Sequence, residues 1–186
     1  MQYNKRIKTL IIPHKLNEEL KDIPENTKII IFKKKSKFNQ KIDYLPKYFL
    51  GFPQNLTHLT FGRNFNKKVN KLSKNLIYLA FGKNFNQEVN NLPKNLKYLK
   101  FGCKFQNNFI LPNNLKKLSL SNKNFLLNNI PSQIEKLYIW FSYTENYNKK
   151  IENLPPTIKE IVIENEKYKK YIKIPFGCIL TIKKIE

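Results

Sequence analysis

The sequence predicts a mainly β repeat solenoid with one parallel sheet of short strands and connections made of turns or single 3-10 turns. Three observations carry this. First, Phe52, Leu72 and Leu92 open successive copies of one pattern, each twenty residues after the last, without a gap. A fixed short period signals one supersecondary unit stacked on copies of itself, because so small a unit cannot bury its apolar face alone. Second, apolar residues alternate with variable ones in the middle of each copy. Tyr78, Leu79, Ala80 and Phe81, like Tyr98, Leu99, Lys100 and Phe101, have the period of a strand with one buried face. Third, no stretch within the repeats sustains helical spacing over ten residues.

Numbered from the residue before its proline, a repeat has Leu, Ile or Phe at position 1, usually Pro at 2 and often Asn at 4. Positions 5, 8 and 10 are apolar, 11 is often Gly, a Phe-Asn pair follows at 14 and 15, and an apolar residue closes at 18. Proline lacks an N–H and fixes its φ, so it belongs in the connection. Gly62, Gly82 and Gly102 imply either positive φ or close backbone packing where the strand ends. A repeated Asn can bond backbone groups of the next coil; Asn64 with Asn84 and Asn66 with Asn86 are equal candidates.

The elements follow in chain order. Residues 1–22 are expected to form an N-terminal cap, with a short strand over Lys8–Pro13 and one or two helical turns placing Leu16 and Leu20 inward. Residues 23–173 carry the repeats. Degenerate copies open at Ile23, Leu111, Ile130 and Leu154, and an abbreviated one lies between Leu45 and Phe52. Residues 174–186 form a truncated repeat with a final strand at Cys178–Ile182 and charged residues after it, which favours a monomer over an end-to-end filament. The phenylalanines Phe61, Phe65, Phe81, Phe85, Phe101 and Phe105 are core ladders.

Composition limits the function. The chain of 186 residues has a formal net charge of +22, an excess that attracts polyanions without a dedicated site. The lysines are spread along the whole length and arginine occurs only at Arg6 and Arg63, whereas a nucleic-acid site more often concentrates cations on one face. Compositional charge is therefore favoured over nucleic-acid binding, which stays as the alternative. No run reaches the ~18 apolar residues of a membrane span. The basic start is not followed by a cleavage site, and Cys103 and Cys178 fall at different places in their repeats. A non-exported protein in a reducing, cytoplasmic compartment is expected. His14 and His58 have no partners at metal-ligand spacing, and no phosphate loop, dinucleotide fingerprint or nucleophile elbow occurs. No catalytic residue, metal or cofactor is assigned, and the reading is non-enzymatic.

Candidate function lies at positions 7 and 9, which should face outward from the sheet. They hold His58 and Thr60, Tyr78 and Ala80, Tyr98 and Lys100, Lys117 and Ser119, Lys136 and Tyr138, then Glu160 and Val162. Trp140 stands at position 11 in place of Gly and extends the row as an exposed aromatic. Aromatics with adjacent charge are favoured anchors of protein interfaces. The partner-binding set is His58, Tyr78, Tyr98, Lys100, Lys117, Lys136, Tyr138 and Trp140. Ordinary cross-strand packing accounts for the tyrosines equally well.

The run Leu76, Leu79, Phe81, Gly82, Asn84, Phe85 and Asn86 is similar to the leucine-rich-repeat signature. The whole unit resembles FNIP repeats, whose Phe-Asn landmarks stand here at Phe38-Asn39, Phe65-Asn66, Phe85-Asn86 and Tyr147-Asn148. Their Leu-Pro landmarks follow at Leu45-Pro46, Leu72-Ser73, Leu92-Pro93 and Leu154-Pro155. That resemblance covers nearly everything from Ile23. It implies a leucine-rich-repeat-like right-handed superhelix, a role in protein–protein interaction, and a source among amoebae or the giant DNA viruses that infect them, with the host cytoplasm as location if viral. Many viral members carry an F-box; the segment before Ile23 is too short for one.

Overall fold

The structure is a computed structural model that describes residues 1–21, 23–42, 52–107, 109–121, 127, 129–141 and 150–183. Among them ten strands form one sheet in chain order. They are β1 (Gln2–Asn4), β2 (Thr9–Ile12), β3 (Ile29–Phe32), β4 (His58–Thr60), β5 (Tyr78–Ala80), β6 (Tyr98–Lys100), β7 (Lys117–Ser121), β8 (Lys136–Trp140), β9 (Glu160–Ile163) and β10 (Ile179–Ile182). Pairing is parallel from β2 to β10, and β1 joins β2 antiparallel. The result is a parallel-sheet solenoid in which eight successive turns join the nine parallel strands, with almost no helix among the described residues.

Register is set by the residue at position 8. Leu10, Ile30, Leu59, Leu79, Leu99, Leu118, Leu137, Ile161 and Leu180 are opposite one another across the sheet. All but Leu180 are buried. A slip of one residue would turn this row to solvent. Two tight turns shape each coil. One runs from position 2 to position 5, where Leu56 N–H donates to Pro53 O at 3.0 Å and Leu96 N–H to Pro93 O at 3.1 Å. Ser73 serves the same turn with Leu76 at 3.2 Å, so the proline is preferred and not required. The other turn runs from position 11 to 14, with Phe85 N–H donating to Gly82 O at 3.4 Å.

Inside the coils the phenylalanines form two columns. Phe61, Phe81 and Phe101 stack at 5.4 Å, and Phe65, Phe85 and Phe105 at 6.1 and 6.0 Å. The columns touch within each coil, at 3.8 Å for Phe81 with Phe85. Phe109 closes the stack edge-on against Phe101 and Phe105, next to the coil whose position 10 is Leu120.

Asparagine links the coils in three rows. At position 15, Asn39, Asn66 and Asn86 each accept the backbone N–H of the next coil on Oδ1, from Asn66 at 2.8 Å, Asn86 at 2.9 Å and Gln106 at 3.0 Å. Asn84 Nδ2 donates to Asn64 Oδ1 at 3.1 Å, so both candidate rows form bonds, but position 15 supplies the longer ladder. A third row, Asn75, Asn95 and Asn114 at position 4, donates from Nδ2 to the backbone carbonyls of Gln54, Lys74 and Lys94.

Gly82 and Gly102 answer a packing demand and not a conformational one. A Cβ on Gly82 would stand 2.1 Å from the Gly62 carbonyl oxygen, and one on Gly102 2.2 Å from that of Gly82. Positive φ among the described residues is confined to Lys8 (52°) and Gly177 (75°).

The N-terminal segment departs from expectation. Residues 16–21 form no helix. They continue a coil in repeat register: Leu10 and Ile12 align with Ile30 and Phe32, and Asn17 Oδ1 accepts Asn39 N–H at 2.8 Å. Leu16 and Leu20 do pack inward, Leu20 fully buried, but as positions 14 and 18 of a coil. The i, i+4 spacing of Leu16 and Leu20 fits both a helical turn and this repeat, which is why the sequence alone misplaced it. The β1 strand and its hairpin were not foreseen. At the far end β10 begins at Ile179, not Cys178, and presents exposed Ile179 and Ile182 beside Lys183 at the sheet edge. A 3-10 helix, Glu166–Tyr171, precedes it and stacks buried Tyr168 on Phe141 at 4.3 Å. The landmarks at Leu45-Pro46 and Tyr147-Asn148, and the last residues from Lys184, lie outside the described residues.

Gly82→Ala should destabilise by about 3 kcal/mol, the upper range for overpacking against backbone. Gly177→Ala, with open space around its Cβ, should cost only the ~1–2 kcal/mol of a left-handed conformation. Phe81→Ala should cost ~3–5 kcal/mol. Chemical denaturation of the three variants checks this order; equal losses for the two glycines would refute the close-packing account.

Candidate functional site

Positions 7 and 9 of β4 to β9 make one face of the sheet, and the structure gathers the sequence-predicted residues on it into a continuous band. His58, Tyr78 and Tyr98 are direct partners across β4, β5 and β6. Their rings stack, with centroids 5.7 Å apart for His58 and Tyr78 and 4.5 Å for Tyr78 and Tyr98. Tyr98 then meets Tyr138 edge-on at 6.0 Å, and Tyr138 lies 6.5 Å from Trp140. The coil spacing is close to the distance at which planar rings stack, so identical positions in successive strands line up by construction.

The strand between these aromatics explains the shape. Ser119 on β7 is small and fully buried. Side chains from β6 and β8 reach diagonally across it: the Trp140 indole N–H donates to Ser119 Oγ, and the Lys100 ammonium lies over the indole, 5.0 Å from its centroid. Trp140 is thus half-buried against its own sheet, where the sequence reading expected an exposed tryptophan. Lys117, on the same strand as Ser119, points to solvent. Ala80 and Val162 are also buried on this face, shaded as short side chains in a row of longer ones.

Charge is distributed unevenly along the band. Lys136 sits 5.3 Å from the Tyr138 ring centroid and pairs with Glu160 at 2.5 Å, and Glu160 also accepts the Thr181 hydroxyl at 2.9 Å. The bond to Glu160 raises Lys136 above the ordinary lysine value, and the same bond lowers Glu160. Lys100 is half-buried, and among the described residues no carboxylate pairs with it. Desolvation lowers its pKa, with a smaller contribution from the Lys34 charge. Burial raises Tyr78 and Tyr98 and lowers His58. Burial on this face thus favours the neutral forms of Tyr78, Tyr98 and His58.

Sequence reasoning missed Lys34, which follows β3 in its turn and acts on Lys100 from three strands away. It also missed a second cationic feature on the turn side. There Lys35, Lys37, Arg63, Lys83 and Lys104 line a shallow groove with Asn64 and Asn84, and no acid is among its lining residues. The signal was present in the basic residues at positions 12 and 13, but the even spread of lysine along the chain hid it. Among the described residues no group of three His, Cys, Asp or Glu side chains is placed to hold a metal ion, and no helix is long and apolar enough to cross a membrane.

Comparison with known proteins agrees with this architecture. Residues 68–104 match the FNIP repeat family model. No curated protein matches the sequence. Among solved structures, the chain is similar to CroV588, a circular leucine-rich-repeat protein of a giant virus, with 23% identity and a TM-score of 0.51 over 96% of this chain. The match covers 37% of that protein, so this chain spans little more than a third of its length. At that identity the likeness concerns the fold alone.

Raised phenol pKa values link the band to alkaline stability. A tyrosine that resists ionisation when folded, but ionises at its ordinary 10.0 when unfolded, contributes stability below that pH which is lost above it. Tyr98→Phe should keep the stack and lose less stability than the native chain between pH 10 and 11. Urea midpoints of both proteins at pH 8 and above 10 measure the difference; parallel losses would show that Tyr98 is solvated.

Proposed function

From a chain that carries FNIP repeats on a leucine-rich-repeat-like solenoid, we propose a non-enzymatic, monomeric protein-interaction scaffold that binds its partner through the aromatic and lysine band of the sheet. Repeat scaffolds of this kind are commonly interaction modules. The observation that carries the reading is the unbroken contact path from His58 through Tyr78, Tyr98 and Tyr138 to Trp140, flanked by Lys100, Lys117 and Lys136. Pre-stacked rings lose little conformational freedom on binding, which favours them as anchors. Exposed Lys117, two residues before the buried Ser119 on β7, gives the partner a charged contact that costs the fold nothing to change.

Lys117→Glu combined with Tyr138→Ala should remove a defined set of proteins from quantitative affinity purification, with the melting curve checked in parallel. Lys94→Glu, on the turn side, should retain that set. If the band variant and Lys94→Glu recover the same proteins as the native chain, the band is not the interaction surface.

Nucleic-acid binding is the second reading, and the acid-free groove lined by Lys35, Lys37, Arg63, Lys83 and Lys104 is the specific observation that favours it. Here affinity for single-stranded DNA should fall steeply with salt, and Lys83→Glu with Lys104→Glu should shallow that dependence by about one unit of slope per lysine. No binding at ~0.15 M salt, where the Debye length is about 8 Å, would dispose of it.

A further inference from the structure

We propose that the Lys100 ammonium anchors a single Asp or Glu carboxylate from an extended segment of the protein partner, lying across β5 to β8. The inference rests on the reading of the band as the interaction surface and names the chemistry it selects.

Three features of the site point to a carboxylate. Lys100 projects from position 9 of β6 opposite the buried Ser119, with the Trp140 ring on one side and no carboxylate paired to it among the described residues. An indole face attracts an ammonium but supplies no hydrogen-bond acceptor for its three N–H groups at that distance. A half-desolvated cation without a counter-ion leaves interaction energy unused, which an incoming carboxylate would recover. The neighbouring charges, Lys34 and Lys117, add attraction of the same sign. The next lysine along the band, Lys136, is already neutralised by Glu160, so it does not compete for the same acid.

The same geometry disfavours a nucleic acid here. A base inserted between two rings needs them roughly 7 Å apart, twice the 3.4 Å stacking rise. Tyr78 and Tyr98 stand at 4.5 Å and are closed to it, and Tyr138 turns its edge to Tyr98. A polyphosphate running along the solenoid would also meet Glu160 at the β9 end of the band. One discrete acid held among aromatic edges fits; a continuous polyanion does not.

The test uses the full chain as bait for a displayed library of random linear peptides, followed by synthetic copies of the selected sequences. The expected consensus holds one fixed Asp or Glu among apolar positions. Replacing that acid by Asn or Gln, or Lys100 by Met in the protein, should weaken binding about tenfold or more, with little further loss when both are combined. Lys100→Arg should restore binding. Lys100→Met should also melt no lower than the native chain, since it removes a desolvated charge; a fall of several degrees would show that Lys100 serves the fold through Trp140 and would overturn the anchor. Peptides that lose binding on Tyr138→Ala but carry no fixed acid would overturn the anchor and leave the interaction surface standing. Peptides indifferent to both Tyr138→Ala and Lys100→Met, or a library that yields no binder, would overturn both.

Discussion

Every coil of this protein has to fit within the height of one backbone hydrogen bond. Parallel strands stand about 4.8 Å apart, and the turns that connect them must keep the same rise or the ladder breaks. That constraint dictates the residues that look most repetitive. Gly82 and Gly102 are there because the preceding coil's carbonyl occupies the volume a Cβ would take. Asn39, Asn66 and Asn86 are there because a side chain with a carbonyl oxygen at the right reach can satisfy an N–H that the turn leaves without a strand partner. The phenylalanine columns follow from the same rise: planar rings are the large apolar groups that stack at a strand's repeat without leaving voids.

The candidate site inherits this geometry. A row of identical positions on a parallel sheet brings side chains to stacking distance whether or not a ligand exists, so Tyr78 on Tyr98 is a property of the fold as much as of binding. What the repeat does not dictate is the irregularity. Ser119 is small where its neighbours are long, Trp140 replaces a glycine, and Lys100 replaces the Thr60 and Ala80 of earlier coils. These three departures meet at one place, where the indole bonds the serine and the ammonium lies over the indole. A solenoid gains specificity by such local breaks in an otherwise uniform surface.

How much of this was legible in the sequence depends on whether a residue's role is carried by period or by context. Position 8 leucines, position 10 and 14 phenylalanines and the outward row at positions 7 and 9 repeat, and their places follow from alternation alone. Leu16 and Asn17 belong to the same pattern but lack the landmark phenylalanine, so the sequence alone reads their coil as a helical turn. Gln2 to Asn4 offers Tyr3 alone as an inward residue, too little to mark a strand; it pairs with the edge that β2 presents. Trp140 was read as exposed because position 11 lies at the sheet surface, yet its length lets it fold back over Ser119. Burial of a long side chain is decided by the size of its neighbours one and two strands away, which no linear pattern displays.

Charge follows a gradient that the net value conceals. Between Phe52 and Asn107 the only acid is Glu88, whereas Glu135, Glu160 and Glu164 cluster within three coils further on. Glu135 bridges Lys116 and Lys159 at 2.8 and 2.9 Å, and those bonds hold its pKa at about 2. Glu160 pairs with Lys136, and Glu164 accepts the Phe141 N–H at 2.7 Å. Lys116, Lys136 and Lys159 are therefore paired with acids across coils, whereas among the described residues no carboxylate pairs with Lys100 or Lys117. Exposed pairs of this kind add little stability. Their larger effect is to leave Lys100 and Lys117 as the lysines of the band without a carboxylate partner among the described residues.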